Sequence, residues 1–320
     1  MYAVVELDRE SIKAALSDEG AFVRATKEVV QKGVESFMRN LSRALFNDGS
    51  GVLGTVGSIA GSVVTISDFK ESNFEERDLI NALDTSATPS AIIGGNTPEV
   101  VEISEVDPDA GTVTLSAIPT GLAAGDKLVM QGSYNNDPEG LKLLDKSAAP
   151  DASFGITHGR RWKAVQKAAA SAAVSTDMLN EVMLKVKKQC GKSPNLIVCS
   201  FKQYEKILNL LEDQKRYTVK TRAGLKSASG ADISFSGVEF MSVDGPVGIF
   251  PERFVEDDRI YLLNDNHIHI HHRPDFGWFD DDGTVFLRKS DSDAYEARYG
   301  GYLQVYINPC FHGVISGLSV

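Results

Sequence analysis

The stretch that most restricts this chain is Gly20 to Gly54, where a long amphipathic pattern runs into a glycine-rich exit. Phe22, Ala25, Val29, Val34, Phe37, Leu41, Ala44 and Leu45 recur at three- and four-residue steps, so one helical face is apolar. Lys27, Glu28, Lys32, Glu35, Arg39 and Arg43 fall mostly off that face. Ser17 and Asp18 are candidate N-caps, and Asn47-Asp48-Gly49 is a stop signal, because glycine tolerates the left-handed conformation that closes a helix. About 27 residues at about 1.5 Å each make a rod of about 40 Å. That is more than twice the usual helix of about a dozen residues. A rod of this length reads as scaffold rather than as the wall of a pocket.

Gly49, Gly51 and Gly54 match the Gly-x-Gly-x-x-Gly spacing of a dinucleotide loop. Such a loop must follow a strand and open a helix, so that amides at a helix N-terminus meet the phosphates. Here it follows the helix, so the three glycines read as a hinge and no cofactor is expected.

The texture then changes. Residues 59–133 are rich in Val, Ile, Thr, Ser and Gly, with short alternating runs at Ser62–Ile66, Glu99–Ile103, Thr112–Leu115 and Lys127–Met130. Asp107-Pro-Asp-Ala-Gly111 is turn chemistry between two of them, and Gly125-Asp126 marks another turn. A small inserted β-barrel or sandwich follows from this pattern. Beyond Tyr134–Gly140, helices are predicted over Gly159–Val174 and over Thr176–Cys190, the latter capped by Thr176 or Asp177. A buried strand at Asn195–Ser200 and a helix from Phe201 to Leu211 complete an α/β layer. Strand texture returns at Ile233–Phe235, Val238–Met241, Arg259–Leu263 and His267–His271, and two last strands are expected within Val285–Arg288 and Glu296–Ser316.

The candidate chemistry is thin. His267, His269 and His271 alternate, which on a strand places three imidazoles on one face, the donor type for zinc or nickel. Solvent-facing strand polarity is the plainer reading. Asp280-Asp281-Asp282-Gly283 lacks the alternating ligands and closing glutamate of a calcium loop and reads as an acidic turn. There is no Gly-x-Ser-x-Gly elbow and no paired-carboxylate motif, so no enzyme is expected. Cys190, Cys199 and Cys310 are odd in number and lack Cys-x-x-Cys spacing, which fits small buried hydrophobes in a reducing cytoplasm. A net charge of −11 argues against tight phosphate binding, and the largest basic cluster, Lys185-Val186-Lys187-Lys188, sits on a helix face. No apolar run reaches the about 18 residues that cross a bilayer, so no membrane partner is expected.

Taken in order, the elements resemble the major capsid protein of tailed bacteriophages, the Hong Kong 97-type fold. The resemblance is carried by Tyr2–Asp8, Ala21–Ala25, the helix end Leu41–Gly51, Ala124–Asp126 with Gly132–Tyr134 closing the insertion, Gly140-Leu141, Asn195–Ser200, Phe235–Val238, Arg259–Leu263, and Tyr295–Leu318. It implies an α+β fold with a spine helix, peripheral and axial domains, and an inserted all-β domain. The corresponding divisions are 1–58 (strand, spine helix and hinge), 59–133 (insertion), 134–275 (mainly axial) and 276–320 (closing peripheral strands). Phe22, Val29, Phe37, Leu41 and Leu45 would pack the spine helix. The resemblance implies a shell subunit forming pentamers and hexamers around double-stranded DNA without specific binding. Scaffolding, portal and decoration proteins are implied as partners, the virion capsid as location, and the host cytoplasm as the place of synthesis. Family members carry an N-terminal arm and an extended loop ahead of the spine, and this chain opens on what resembles the loop's returning strand. No cross-linking residues carry over. An encapsulin-like compartment shell and a binding module built on the β insertion are the alternatives.

Overall fold

In the computed structural model, which describes residues 2–8, 19–87, 90–95, 97–145, 152–153, 156–157, 163–213, 238–242, 244–280, 283–289 and 292–320, strand β1 (Tyr2–Asp8) precedes helix α1 (Glu19–Phe46). The expected caps Ser17 and Asp18, and the side chains of Phe22 and Ala25, lie outside the described residues. The buried face of α1 contains Phe37, Leu41 and Ala44 at four- and three-residue steps, with Val30 and Val34 half-buried along the same line. Val29 is a correction: it is 37% exposed, because it sits one residue, about 100° of helix, off that line. Leu45 is only half-buried, whereas Arg43, expected off the apolar face, is buried. Gly33 faces β1 closely enough that an added Cβ would meet the Val5 side chain.

Seven strands follow: β2 (Val52–Ala60), β3 (Val63–Ile66), β4 (Leu79–Asp84), β5 (Ala91–Ile92), β6 (Val101–Asp107), β7 (Thr112–Leu115) and β8 (Lys127–Met130). They pair in the order β5-β4-β6-β7-β3-β2-β8, and β4 also pairs with β8. That last pairing closes a six-stranded barrel, with β5 added outside the ring on β4. Closure removes the unpaired edges that an open sheet exposes. The interior is Leu53, Val56, Val64, Ile66, Ile80, Ile103, Val113, Leu115 and Leu128, the inward halves of alternating strands. The predicted hairpin forms for the reason given by its sequence: Asp107 Oδ1 accepts from the amides of Asp109 and Ala110, each at 3.0 Å, and Gly111 has φ +64°.

The α/β part contains β9 (Val165–Ala168), α2 (Thr176–Cys190), β10 (Leu196–Cys199), α3 (Phe201–Asp213), β11 (Val238–Ser242), β12 (Gly245–Pro251) and β13 (Ile260–Leu263). Then come β14 (Ile268–Trp278), β15 (Ala294–Ile307) and β16 (Gly313–Ser316). A six-stranded mixed sheet runs β9-β16-β13-β10-β12-β11. Leu179, Val182, Met183 and Val186 of α2 form one core with Ile197, Ile249, Ile260 and Ile315 of this sheet. Gly313 is required there, since a Cβ would meet Val182.

Two expectations are corrected here. Of the helix predicted over Gly159–Val174, residues 159–162 lie outside the described residues, and the described part is instead strand β9 over 165–168. The Ala-rich run has helical propensity, but parallel pairing of Val165–Ala168 with Gly313–Ser316 overrides it. Ala170 and Ser171, at φ +49° and +64°, then turn the chain out of regular structure. The α2 cap is Ser175, not Thr176 or Asp177: its Oγ accepts from the Met178 amide at 3.2 Å. Gly191, at φ +77°, ends the helix. Ile233–Phe235 lies outside the described residues.

A further sheet joins β1 to β15 and β15 to β14, with the short strand Leu287–Arg288 also on β15. β1 runs antiparallel to β15, from Tyr2 opposite Gly300 to Asp8 opposite Ala294. The chain forms two compact units: Met1–Gly51 with Gly132–Gly140 and Ile270–Tyr306, and Val52–Gln131 with Leu141–His269 and Ile307–Val320.

Candidate functional surfaces

The glycine-rich exit of α1 is a packed turn. Gly49 has φ +82°, and a Cβ there would stand 3.2 Å from the Asp137 carbonyl oxygen. Gly51 has φ +72°, with the Ser133 carbonyl oxygen 2.6 Å from an added Cβ. Asp48 Oδ1 accepts from the Ser50 amide at 3.0 Å, the Asn135 amide donates to the Ser50 carbonyl, and the Gly140 amide to the Asn47 carbonyl. Segment 132–140 is thereby laid along the helix exit. Arg43 and Asp137 face each other there; burial raises the Asp137 carboxyl above its ordinary range while Arg43 pulls it down. The turn follows the carbonyl end of α1, which does not favour anions. Gly54 belongs to β2, where an added Cβ would crowd Ile66 and Phe74.

Phe37 is the centre of an aromatic group on the β14–β15 sheet. Its ring lies 5.5 Å from Phe276 and 5.4 Å from Tyr299, and Trp278 is 5.2 Å from Tyr299. Such tilted and edge-on pairs add to the apolar burial of α1.

The three alternating histidines do not share a strand face. His267 ends a 3₁₀ turn, Asp265–His267, and stacks on Phe311 at 3.6 Å, while His269 and His271 are exposed on β14. Burial and the nearby cations Lys192 and His269 lower the His267 pKa. Among the described residues, no three His, Cys, Asp or Glu side chains come together as metal ligands.

The buried histidine is one that the sequence did not single out. His312 has no exposed surface, its Nδ1 accepts from the Asn264 amide at 3.1 Å, and burial pushes its pKa down to about 4. It pins the turn after β13 to the start of β16. A second unforeseen cluster surrounds Arg259, which pairs with Asp145, Glu256 and Asp258. Tyr261 donates to Asp145 at 3.3 Å, and Lys142 pairs with Glu256 at 2.8 Å. Beside them Lys70, from the barrel, donates to the Phe254 carbonyl, and burial lowers its pKa to about 8. Glu256 and Asp258 are local to Arg259, but Asp145 and Arg259, like Lys70 and Phe254, lie more than a hundred residues apart, so no local spacing announces those pairs. The Lys185–Lys188 cluster is a solvated face, with Lys185 paired to Glu181 and Lys187 to Asp244. In the acidic turn, the Gly283 amide donates to the Asp280 carbonyl at 3.3 Å; Asp281 and Asp282 lie outside the described residues.

Exposed apolar surface is unevenly placed. Among the described residues, Val4, Val29, Met38, Ile270, Phe286, Leu287, Tyr302 and Tyr306 are large hydrophobics exposed on the first compact unit. Among the described residues of the barrel strands and loops, 52–131, only Leu79 and Val100 are exposed in this way.

Comparison with known proteins supplies the class that these features leave open. The mixed α/β chain, with three helices described, falls in the class of major capsid proteins. It belongs to the SU10 major capsid protein family, whose model matches residues 129–318. Among solved structures, the capsid asymmetric unit of cyanophage A-1(L) is similar at 15% identity and a TM-score of 0.42, over 59% of this chain and 62% of that one. The chain thus spans less than two thirds of that relative's length. The procapsid of satellite phage P4 with its size-determination protein matches at 6% identity and 0.40, over 99% and 70%. The holo-SrpI encapsulin complex of Synechococcus elongatus PCC 7942 matches at 11% and 0.34, over 76% and 83%. These scores are too low to bear weight, and the assignment rests on the family match. No curated protein matches the sequence.

Proposed function

We propose that the chain builds its shell by self-association into pentamers and hexamers, in the Hong Kong 97-type arrangement, around double-stranded DNA. The observation that carries this reading is the concentration of exposed apolar side chains on the first unit of a capsid-family chain. Exposed large apolar side chains gathered on one part of a protein support a surface for another protein. In a closed symmetric shell each subunit repeats the same contacts with its neighbours, so modest pairwise free energies add over the whole particle. In this reading α1 is the spine helix, with Phe37 and Leu41 fixing it to the sheet, and Gly49 and Gly51 form a hinge where the chain passes to the insertion. The divisions 1–58, 59–133, 134–275 and 276–320 are its peripheral, inserted, axial and returning parts.

A net charge of −11 supports an inner surface along which DNA slides without adhering. No catalytic role is proposed. Assembly takes place in the bacterial cytoplasm with a scaffolding protein, and portal and decoration proteins join the same shell. The test is electron microscopy and light scattering of the chain expressed with its scaffold. Closed shells, or capsomers of five and six copies, are expected; uniformly monomeric protein under every assembly condition sinks the reading.

A further inference from the structure

Two of the three cysteines meet in the folded chain. Cys190 is the last residue of α2, held there by the left-handed Gly191, whose amide donates to the Lys187 carbonyl at 2.8 Å. Cys310 sits in the 3₁₀ turn Pro309–Phe311, between β15 and β16. The Cys190 thiol donates to the Cys310 carbonyl at 2.9 Å, and the Cys310 thiol to Asn308 Oδ1 at 3.1 Å. After burial, the neighbouring Cys190 thiol is the next cause that lifts the Cys310 pKa to about 12. Cys199 is elsewhere, fully buried on β10 with its sulfur toward the Phe250 carbonyl.

We propose that Cys190 and Cys310 are a redox-sensitive pair that closes into an intrachain disulfide when the protein meets a disulfide oxidant such as oxidised glutathione. The pair differs in access, which sets the order of steps. Cys190 is half-exposed and Cys310 is 7% exposed, so only Cys190 can meet the oxidant. Its thiolate attacks one sulfur of oxidised glutathione, forming a mixed disulfide and releasing one glutathione thiolate. Cys310 then gives up its proton to solvent through the opening at Cys190, and its thiolate attacks the Cys190 sulfur. The Cys190–Cys310 bond forms, the mixed disulfide breaks, and the second glutathione leaves. Two thiols are oxidised and one glutathione disulfide is reduced to two thiols, so electrons and atoms balance. The high pKa of Cys310 makes the second step slow at neutral pH and faster as pH rises. In a reducing cytoplasm both thiols persist. The bond ties residues 120 positions apart and fixes the end of α2 to the strand-connecting turn, restricting chiefly the unfolded chain.

The full chain, incubated with oxidised glutathione at mildly alkaline pH and then unfolded for thiol counting, should retain one thiol of three. A peptide map should link Cys190 to Cys310 within one chain, and Tm should rise and return on reduction. Cys190→Ser should keep its two remaining thiols, while Cys310→Ser should accumulate glutathione on Cys190. Three retained thiols, a persistent mixed disulfide at Cys190 in the unaltered chain, or a bond between two chains overturns the proposal. Should Cys310→Ser not fold, the peptide map and Cys190→Ser decide. The assay reads single subunits, so its outcome is independent of shell assembly.

Discussion

The barrel and the α1 unit solve the burial problem in opposite ways. The barrel closes on itself: β4 meets β8, every strand in the ring has two neighbours, and its apolar side chains point inward. The α1 unit has an open sheet with β1 at its edge, and it gathers three stretches of chain, 1–51, 132–140 and 270–306. Among the described residues, eight large hydrophobics stay exposed there against two in the barrel. A part that satisfies itself can be inserted almost anywhere in a chain. A part that does not is where the proposed contacts between copies would fall.

The largest effects should come from the two cores. Phe37, 1% exposed and ringed by Phe276 and Tyr299, should lose about 3–5 kcal/mol on Phe37→Ala. Leu128→Ala, at a fully buried barrel position, should cost about 2–5 kcal/mol. Hydrogen exchange sharpens the comparison: Phe37→Ala should raise exchange in α1, β1 and β15 and leave the barrel protected. Loss of protection in both places at once would show that the barrel's closure does not make it self-sufficient.

The next effect depends on pH. His312 has a folded pKa of about 4 against an ordinary value of 6.5. Because the folded form holds the imidazole neutral, its fold stability is intact above about 6.5. It falls as pH drops toward 4, where the unfolded chain takes up the proton first, and levels off below, for a loss of about 3 kcal/mol. Denaturant titrations across that window should show the slope, and His312→Gln should flatten it. An unchanged slope in the variant would assign the pH dependence to other groups.

Smaller again is the barrel's latch. Asp126 is 5% exposed; its Oδ1 accepts from the Thr85 amide at 3.1 Å and its Oδ2 from the Ala123 amide at 2.9 Å. Asp126→Ala strands two amides and should cost about 1–3 kcal/mol in thermal unfolding. A neutral result would mean that closure between β4 and β8 does not depend on this turn.

The same contrast explains what was legible in the sequence. Local chemistry was: Asp107–Gly111 makes its hairpin, Gly191 ends α2, and the Phe37–Ala44 spacing marks the buried face of α1. Long-range pairing was not. Val165–Ala168 looks helical until Gly313–Ser316 lies beside it. β4 was missed because its four central residues, 80–83, are all buried and show no alternation to reveal it. His267 left the expected histidine face because its ring stacks on Phe311, 44 residues away by the numbering. The buried His312 contact and the Arg259–Asp145 pair join distant segments, while the family resemblance survived these errors because it rests on the order of elements.

The last prediction concerns side chains whose loss should scarcely touch the folded monomer. Met38 is 52% exposed on α1 and Tyr302 73% exposed on β15. Neither sits in a core, so Met38→Ser and Tyr302→Ser should shift monomer stability by no more than about 0.5 kcal/mol. If the first unit is completed by neighbouring copies, each substitution removes the same contact at every repeat of the shell, and assembly falls off far more than stability does. Leu79→Ser, at 43% exposure on the barrel, is the matched control and should leave assembly less affected. Light scattering of assembly mixtures beside thermal melts of the subunit separates the two quantities. Equal assembly by all three variants would mean that the uneven apolar surface has no part in building the shell.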